Sequence, residues 1–297
     1  MRMDDERESR NIDDRRESTG KGGGMPSMQT MMILWPIVRP LLKSKFGLLI
    51  IGVGVAAYMM GYNPLSLIGM GGTSSAPLTK TQKVKDEKRK VFIAKVLKST
   101  EDVWTAVLPK YGIRYTEPTM VLYRGYTRSG CGAAQSQMGP FYCPVDKKVY
   151  LDLGFFDELA KRHNAPGDFA QAYVLAHEIG HYIQDLQGTL DKVQKAKQSW
   201  GGNSKKSNAL QVRVELQADC YAGVWGHYAQ KRFNMLEPGD IEEALNAASS
   251  IGDDTLQKKA GQKVRPDGFT HGSSAQRVKW FKRGFVSGDL RQCNTFR

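Results

Sequence analysis

His177 and His181 sit four positions apart in PGDFAQAYVLAHEIGHYIQDLQG (166–188), and this stretch restricts the chain more than any other. Its apolar residues recur at helical intervals. Asp168, with Gln171 three positions on, has the form of a capping box, and Gly188 supplies a stop. The spacing therefore predicts a helix of about five turns. Positions i and i+4 project from one helix face, so the two imidazoles can grip a common ion while Glu178 emerges beside them.

A second helix is expected over VELQADCYAGVWGHYAQKRF (214–233). Glu215 and Asp219 lie one turn apart on it among Leu, Ala, Cys, Tyr and Val, surroundings in which a carboxylate without a partner is costly. A hydrolytic zinc site takes three protein ligands and leaves a fourth position open to water. This pattern assigns His177, His181 and Glu215 to one zinc ion per chain. Asp219 is then placed to accept a hydrogen bond from the outer nitrogen of one ligand histidine. A zinc ion so held would acidify a water and polarise a substrate carbonyl, with Glu178 as the general base that passes the proton to the leaving amine. The developing oxyanion needs a further donor, and His271, His227, Tyr142 and Tyr182 are the candidates. His271 is preferred, because it lies in a Gly/Ser loop of GFTHGSSAQRVKWFKRGF (268–285), ahead of a helix, and such loops can reach across a cleft. His163 and His227 otherwise read as structural.

The rest of the chain suggests five regions. Residues 1–30 are charged and nearly free of apolar side chains at their start, so a disordered tail is expected. MMILWPIVRPLLKSK (31–45) is broken by Pro36, Arg39 and Pro40 and reads as interfacial. FGLLIIGVGVAAYMMGY (46–62) has 17 residues without a charge, at the short end of the spanning range, and is read as one transmembrane helix. An uncharged linker follows over 63–79, then a single domain over 80–297. Arg39, Lys43 and Lys45 precede the span, so the positive-inside rule predicts a cytoplasmic N-terminus and a periplasmic or extracellular domain.

Within that domain, helices are expected over 83–112 and 241–251, the latter capped by Asp240 with Glu243. Strands are expected at TMVLYRGY (119–126) and KVYLDL (148–153), and a helix-ending turn at Gly252-Asp253-Asp254. The fold class is therefore α+β. Four cysteines are present, none in a CxxC pair. A Cys131–Cys143 bond would staple the glycine-rich loop SGCGAAQSQMGPFYC, and Cys220 would then pair with Cys293, although four cysteines allow three arrangements. The net charge of +13 suits several polyanions, but the basic residues are dispersed and carry no nucleic-acid motif, so no nucleic-acid partner is expected.

NIDDRR (11–16), CGAAQSQMGPFYCP (131–144), VYLDLGFF (149–156), AHEIGHYIQ (176–184), ELQADCYAGVW (215–225), IGDD (251–254) and HGSSAQR (271–277) together resemble a bacterial family of neutral zinc metallopeptidases, the YpfJ-like proteins. The resemblance covers most of the chain, apart from the extra apolar stretch MMILWPIVRPLL. It implies a zincin-like peptidase domain exported from a membrane anchor. Glu215-x-x-x-Asp219 is also similar to thermolysin-like enzymes, in which the glutamate is the third ligand and the aspartate supports a zinc histidine. The expected function is a membrane-anchored zinc endopeptidase acting on peptide or protein substrates and touching the bilayer through one helix. A cell-wall peptide amidase and a non-catalytic binding module of the envelope are the alternatives, and the intact Glu178 argues against the second of these.

Overall fold

A computed structural model of the chain describes residues 1–17, 79–135, 139–163, 165–202 and 204–297. The expected interfacial segment (31–45), span (46–62) and nearly all of the linker lie outside the described residues. Among the described residues, no helix is long and apolar enough to cross a membrane. Residues 1–17 and 79–297 form one compact unit.

That unit is α+β and mostly helical. In chain order it begins with strand β1 (Ile12–Asp14) and helix α1 (Lys80–Val107), followed by strands β2 (Thr119–Tyr123), β3 (Tyr126–Ser129), β4 (Gly132–Gln135), β5 (Phe141–Cys143) and β6 (Lys148–Asp152). Helices α2 (Leu153–Arg162), α3 (Asp168–Leu186), α4 (Thr189–Ser199), α5 (Lys205–Phe233), α6 (Asp240–Ser250), α7 (Asp253–Lys259) and α8 (Ser274–Ser287) complete it. The main sheet has the order β1-β2-β6-β5, with β1, β2 and β6 parallel and β5 antiparallel at the edge. β3 and β4 form a separate antiparallel pair.

α1 starts at Thr79, which makes a capping box with Gln82. It buries Ile93, Val96, Leu97, Val103, Trp104 and Val107 against the sheet and the site-bearing helices. α3 passes close to α5 at Gly180, where a Cβ would meet the Ala218 backbone oxygen at 3.0 Å, so the small residue inside HEIGH permits the approach. α5 meets α8 where Gly223 and Gly284 each face the other helix's backbone, with no room for a side chain on either. The core is continuous from α1 through α3 and α5 to α8.

The chain departs from several expectations. Residues 1–17 are not a disordered tail. β1 pairs in parallel with β2, Ile12 opposite Met120 and Asp14 opposite Leu122. The backbone also bonds from Arg2 to Met235 and from Ser9 to Ala94. This order comes from main-chain pairing and from ion pairs such as Arg16 with Asp14 and Glu87, which local hydrophobicity does not report. The remainder of the expected tail, 18–30, lies outside the described residues. The glycine-rich loop at 129–143 contains β4 and β5.

Neither predicted capping box forms. α3 is capped at Gly167 without its own side chain, and the Phe169 N–H donates to Glu243 Oε2 of α6 at 3.0 Å instead. Asp168 accepts from the Met1 amino group at 2.9 Å, and Asp240 accepts from the Glu237 N–H at 2.8 Å. The helix-ending turn expected at Gly252 is present, since α6 closes at its C-cap Ile251 and Gly252 follows it, and Gly252 is at the same time the N-cap of α7.

Candidate metal centre

The crossing of α3 and α5 brings His177, His181 and Glu215 together, with all three ligand atoms within 4.8 Å of one another. Glu215 Oε2 lies 3.2 Å from His177 Nε2 and 3.4 Å from His181 Nε2. Both imidazoles are held from behind. His177 Nδ1 lies 2.8 Å from Asp219 Oδ1, and His181 Nδ1 lies 2.9 Å from the side-chain oxygen of Gln184. An acceptor at Nδ1 keeps the proton there and turns the Nε2 lone pair toward the shared point. Glu215 Oε1 accepts from Gln211 Nε2 at 2.8 Å, which leaves Oε2 for that point.

Two imidazole nitrogens and one carboxylate oxygen are a zinc donor set, and ligands about 2.1 Å from a tetrahedral centre lie about 3.4 Å apart. The residues present fit the ion.

The electrostatics agree. Burial by itself disfavours charge on every group here. At His177 the neighbouring Asp219 and Glu215 outweigh that effect and raise the imidazole to about 10. Glu215 resists the same burial because His181 and His177 hold it well below the usual carboxylate range. Cation binding to such a pair displaces imidazole protons. Glu178 behaves differently: burial pushes its carboxyl up, and the two imidazoles and the Tyr142 backbone N–H offset this only in part.

Asp219 anchors a charged cluster. It is fully buried and accepts from the Tyr173 hydroxyl at 2.5 Å and from Arg277 through both oxygens at 2.9 Å. Arg277, 3% exposed, also donates to the Tyr173 hydroxyl at 3.1 Å. Behind His181 the chain of contacts is neutral. The Gln184 amide nitrogen donates to Val214 O and to Gln217 Oε1, and Gln217 donates to Cys293 O at 3.0 Å. Cys293 is bonded to Cys220 of α5, and Cys131 to Cys143, so the pairing is the one considered from the sequence.

The cluster opens into a cleft of about 710 Å³ whose lining includes Glu178, Phe141 and Tyr142 of edge strand β5, Val193 and His271. The His271 loop is clamped by Asp253, whose Oδ2 accepts three successive backbone N–H groups from Thr270, His271 and Gly272 at 2.7, 2.7 and 3.0 Å. The His271 side chain remains half exposed. The other oxyanion candidates are otherwise engaged. Tyr142 lines the cleft but gives its hydroxyl to Asp185, Tyr182 bonds Thr116, and His227 packs on α8 with Nδ1 2.8 Å from Phe285 O. His163, read as structural, also lines the cleft.

Arg277, Tyr173, Gln184, Gln217 and Gln211 were not singled out from the sequence. Arg277, Gln184 and Gln217 stand inside quoted blocks, but nothing local marks an arginine or glutamine as buried against a histidine's partner.

The fold and site define a helical α+β protein with a buried His-His-Glu cluster that could hold a metal ion. The chain belongs to the family described as "Putative neutral zinc metallopeptidase", which matches residues 1–296. It is 46% identical over 296 residues to "Uncharacterized protein YpfJ" of Escherichia coli K12, covering 100% of this chain and 99% of that protein. It is 45% identical over 208 residues to "Uncharacterized protein Rv2575" of Mycobacterium tuberculosis H37Rv, covering 67% of each. No solved structure matches.

Proposed function

We propose that the protein is a zinc-dependent endopeptidase with a zincin-like catalytic domain that works outside the cytoplasm. One observation carries the reading: the Nε2 atoms of His177 and His181 converge on Glu215 at the floor of an open cleft, with buried Glu178 alongside. A zinc ion bound there supplies Lewis acidity toward a substrate carbonyl and toward water. Glu178 accepts the proton of the attacking water and delivers it to the leaving nitrogen, a role that suits a carboxyl whose proton affinity burial has raised. Asp219 and Gln184 keep the two histidines in register through their outer nitrogens. His271, on the wall of the same cleft, donates to the developing oxyanion.

Edge strand β5 supports a polypeptide substrate. It contributes Phe141 and Tyr142 to the cleft, and the Tyr142 N–H points toward Glu178, away from β6. An extended peptide can add to such an edge and bring a scissile bond over the general base. The two disulfides support a location outside the reducing cytosol. Residues 46–62 tether the protein to the bilayer.

The test is turnover of a mixed library of unfolded proteins and cell-wall peptides by the full-length chain, after chelation and after zinc is returned. Internal cleavage of polypeptides that depends on zinc supports the endopeptidase. Cleavage confined to cell-wall peptides would replace it with an amidase, and no cleavage of either kind by zinc-loaded protein would overturn it.

A further inference from the structure

The N-terminal arm is built into the same body as the metal centre. Besides the three-residue pairing of β1 with β2, Met120 N–H donates to Asn11 O at 2.8 Å and Arg15 N–H donates to Leu122 O at 2.7 Å. Glu101 of α1 is 1% exposed, and Oε1 accepts from Ser9 Oγ at 2.6 Å and Asn11 Nδ2 at 2.9 Å. Lys95 Nζ donates to Met3 O at 2.7 Å, and the Met3 side chain is buried in the core. The arm thus touches the sheet, α1 and, through Arg2, the turn after α5. Without it, Glu101 would lose two donors and β2 one of its two hydrogen-bonded neighbours, and buried polar groups left without partners are costly.

Paired strands lie about 4.8 Å apart, whereas the hydrocarbon core of a bilayer is about 30 Å thick. No membrane fits between β1 and β2. We propose that residues 1–17 and the metal-bearing domain, 79–297, lie on the same side of any membrane the chain meets. Whatever course 18–78 takes through lipid, the uncharged run 46–62 included, it begins and ends on one side. The chain is therefore not single-pass, and the topology expected from the flanking charges alone is replaced. Two disulfides in the metal-bearing domain favour a shared side outside the reducing cytosol.

The test uses the full-length protein in cells. Glu8→Cys in the arm and Lys279→Cys on α8 each place a single thiol at an exposed position, and the four native cysteines are all in disulfides. Each variant is treated with a membrane-impermeant maleimide in intact cells, after permeabilisation, and in detergent, where both must react. Equal labelling of the two positions in intact cells, or equal protection lifted together by permeabilisation, supports the shared side. Labelling of one position in intact cells with protection of the other overturns it.

Discussion

The two histidines present the same atom to the same point and are supported in opposite ways. Behind His177 stands a charged cluster, Asp219 with Arg277 and Tyr173, fully enclosed. Behind His181 stands a run of neutral amides, Gln184 and Gln217, ending on the carbonyl of Cys293. The difference follows from the charge the pocket can hold. Glu178, Glu215 and Asp219 are three buried carboxylates, offset by one buried guanidinium and, when the proposed zinc is bound, by one divalent cation. A second carboxylate behind His181 would leave net negative charge in a region where desolvation is expensive. An amide oxygen fixes the ring without adding charge.

The largest effect is expected on the charged side. Asp219→Ala leaves Arg277 buried and unpaired, and should lower unfolding free energy by about 3–5 kcal/mol in denaturant titration. Adding Arg277→Met should recover a substantial part of that loss, because the orphaned charge leaves with it. A double variant no more stable than Asp219→Ala would show that Arg277 is not the charge Asp219 compensates. On the neutral side, Gln184→Ala should weaken zinc binding by about 10- to 100-fold in chelator competition, since the His181 ring loses its orienting acceptor. Its effect on unfolding should be only about 1–2 kcal/mol. Gln217→Ala, one amide further out, should shift zinc affinity in the same direction by less than Gln184→Ala does. If the two glutamine variants are indistinguishable from wild type in zinc affinity, the neutral run is packing and not support.

What could be read from the sequence was whatever helix geometry turns directly into space. Four-residue spacing placed His177 and His181 on one face and Glu215 above Asp219, and burial of those carboxylates among apolar neighbours pointed to partners for them. Apolar patterning located α1, β2 and β6 to within a few residues. The rest depends on partners far away in sequence. The arm at 1–17 has the composition of a disordered tail, and its strand becomes visible only once β2, more than a hundred positions later, offers an edge. The cap of α3 is a glutamate from α6, which no local pattern reveals. β5 is three residues long inside a glycine-rich loop, too short to show alternation. Arg277 and Gln184 have the residue types of ordinary surface positions, and only tertiary packing encloses them.

If a single zinc site with Glu178 as base performs the proposed hydrolysis, metal binding and turnover must come apart when Glu178 loses its charge. The most direct measurement pairs metal content with amide-bond turnover for the full-length protein and its Glu178→Gln variant, prepared side by side without chelator. One zinc per chain in both proteins, with cleavage only by the wild type, is the expected result. Folded protein that holds no zinc, or a Glu178→Gln variant that turns substrate over as fast as wild type, would contradict it.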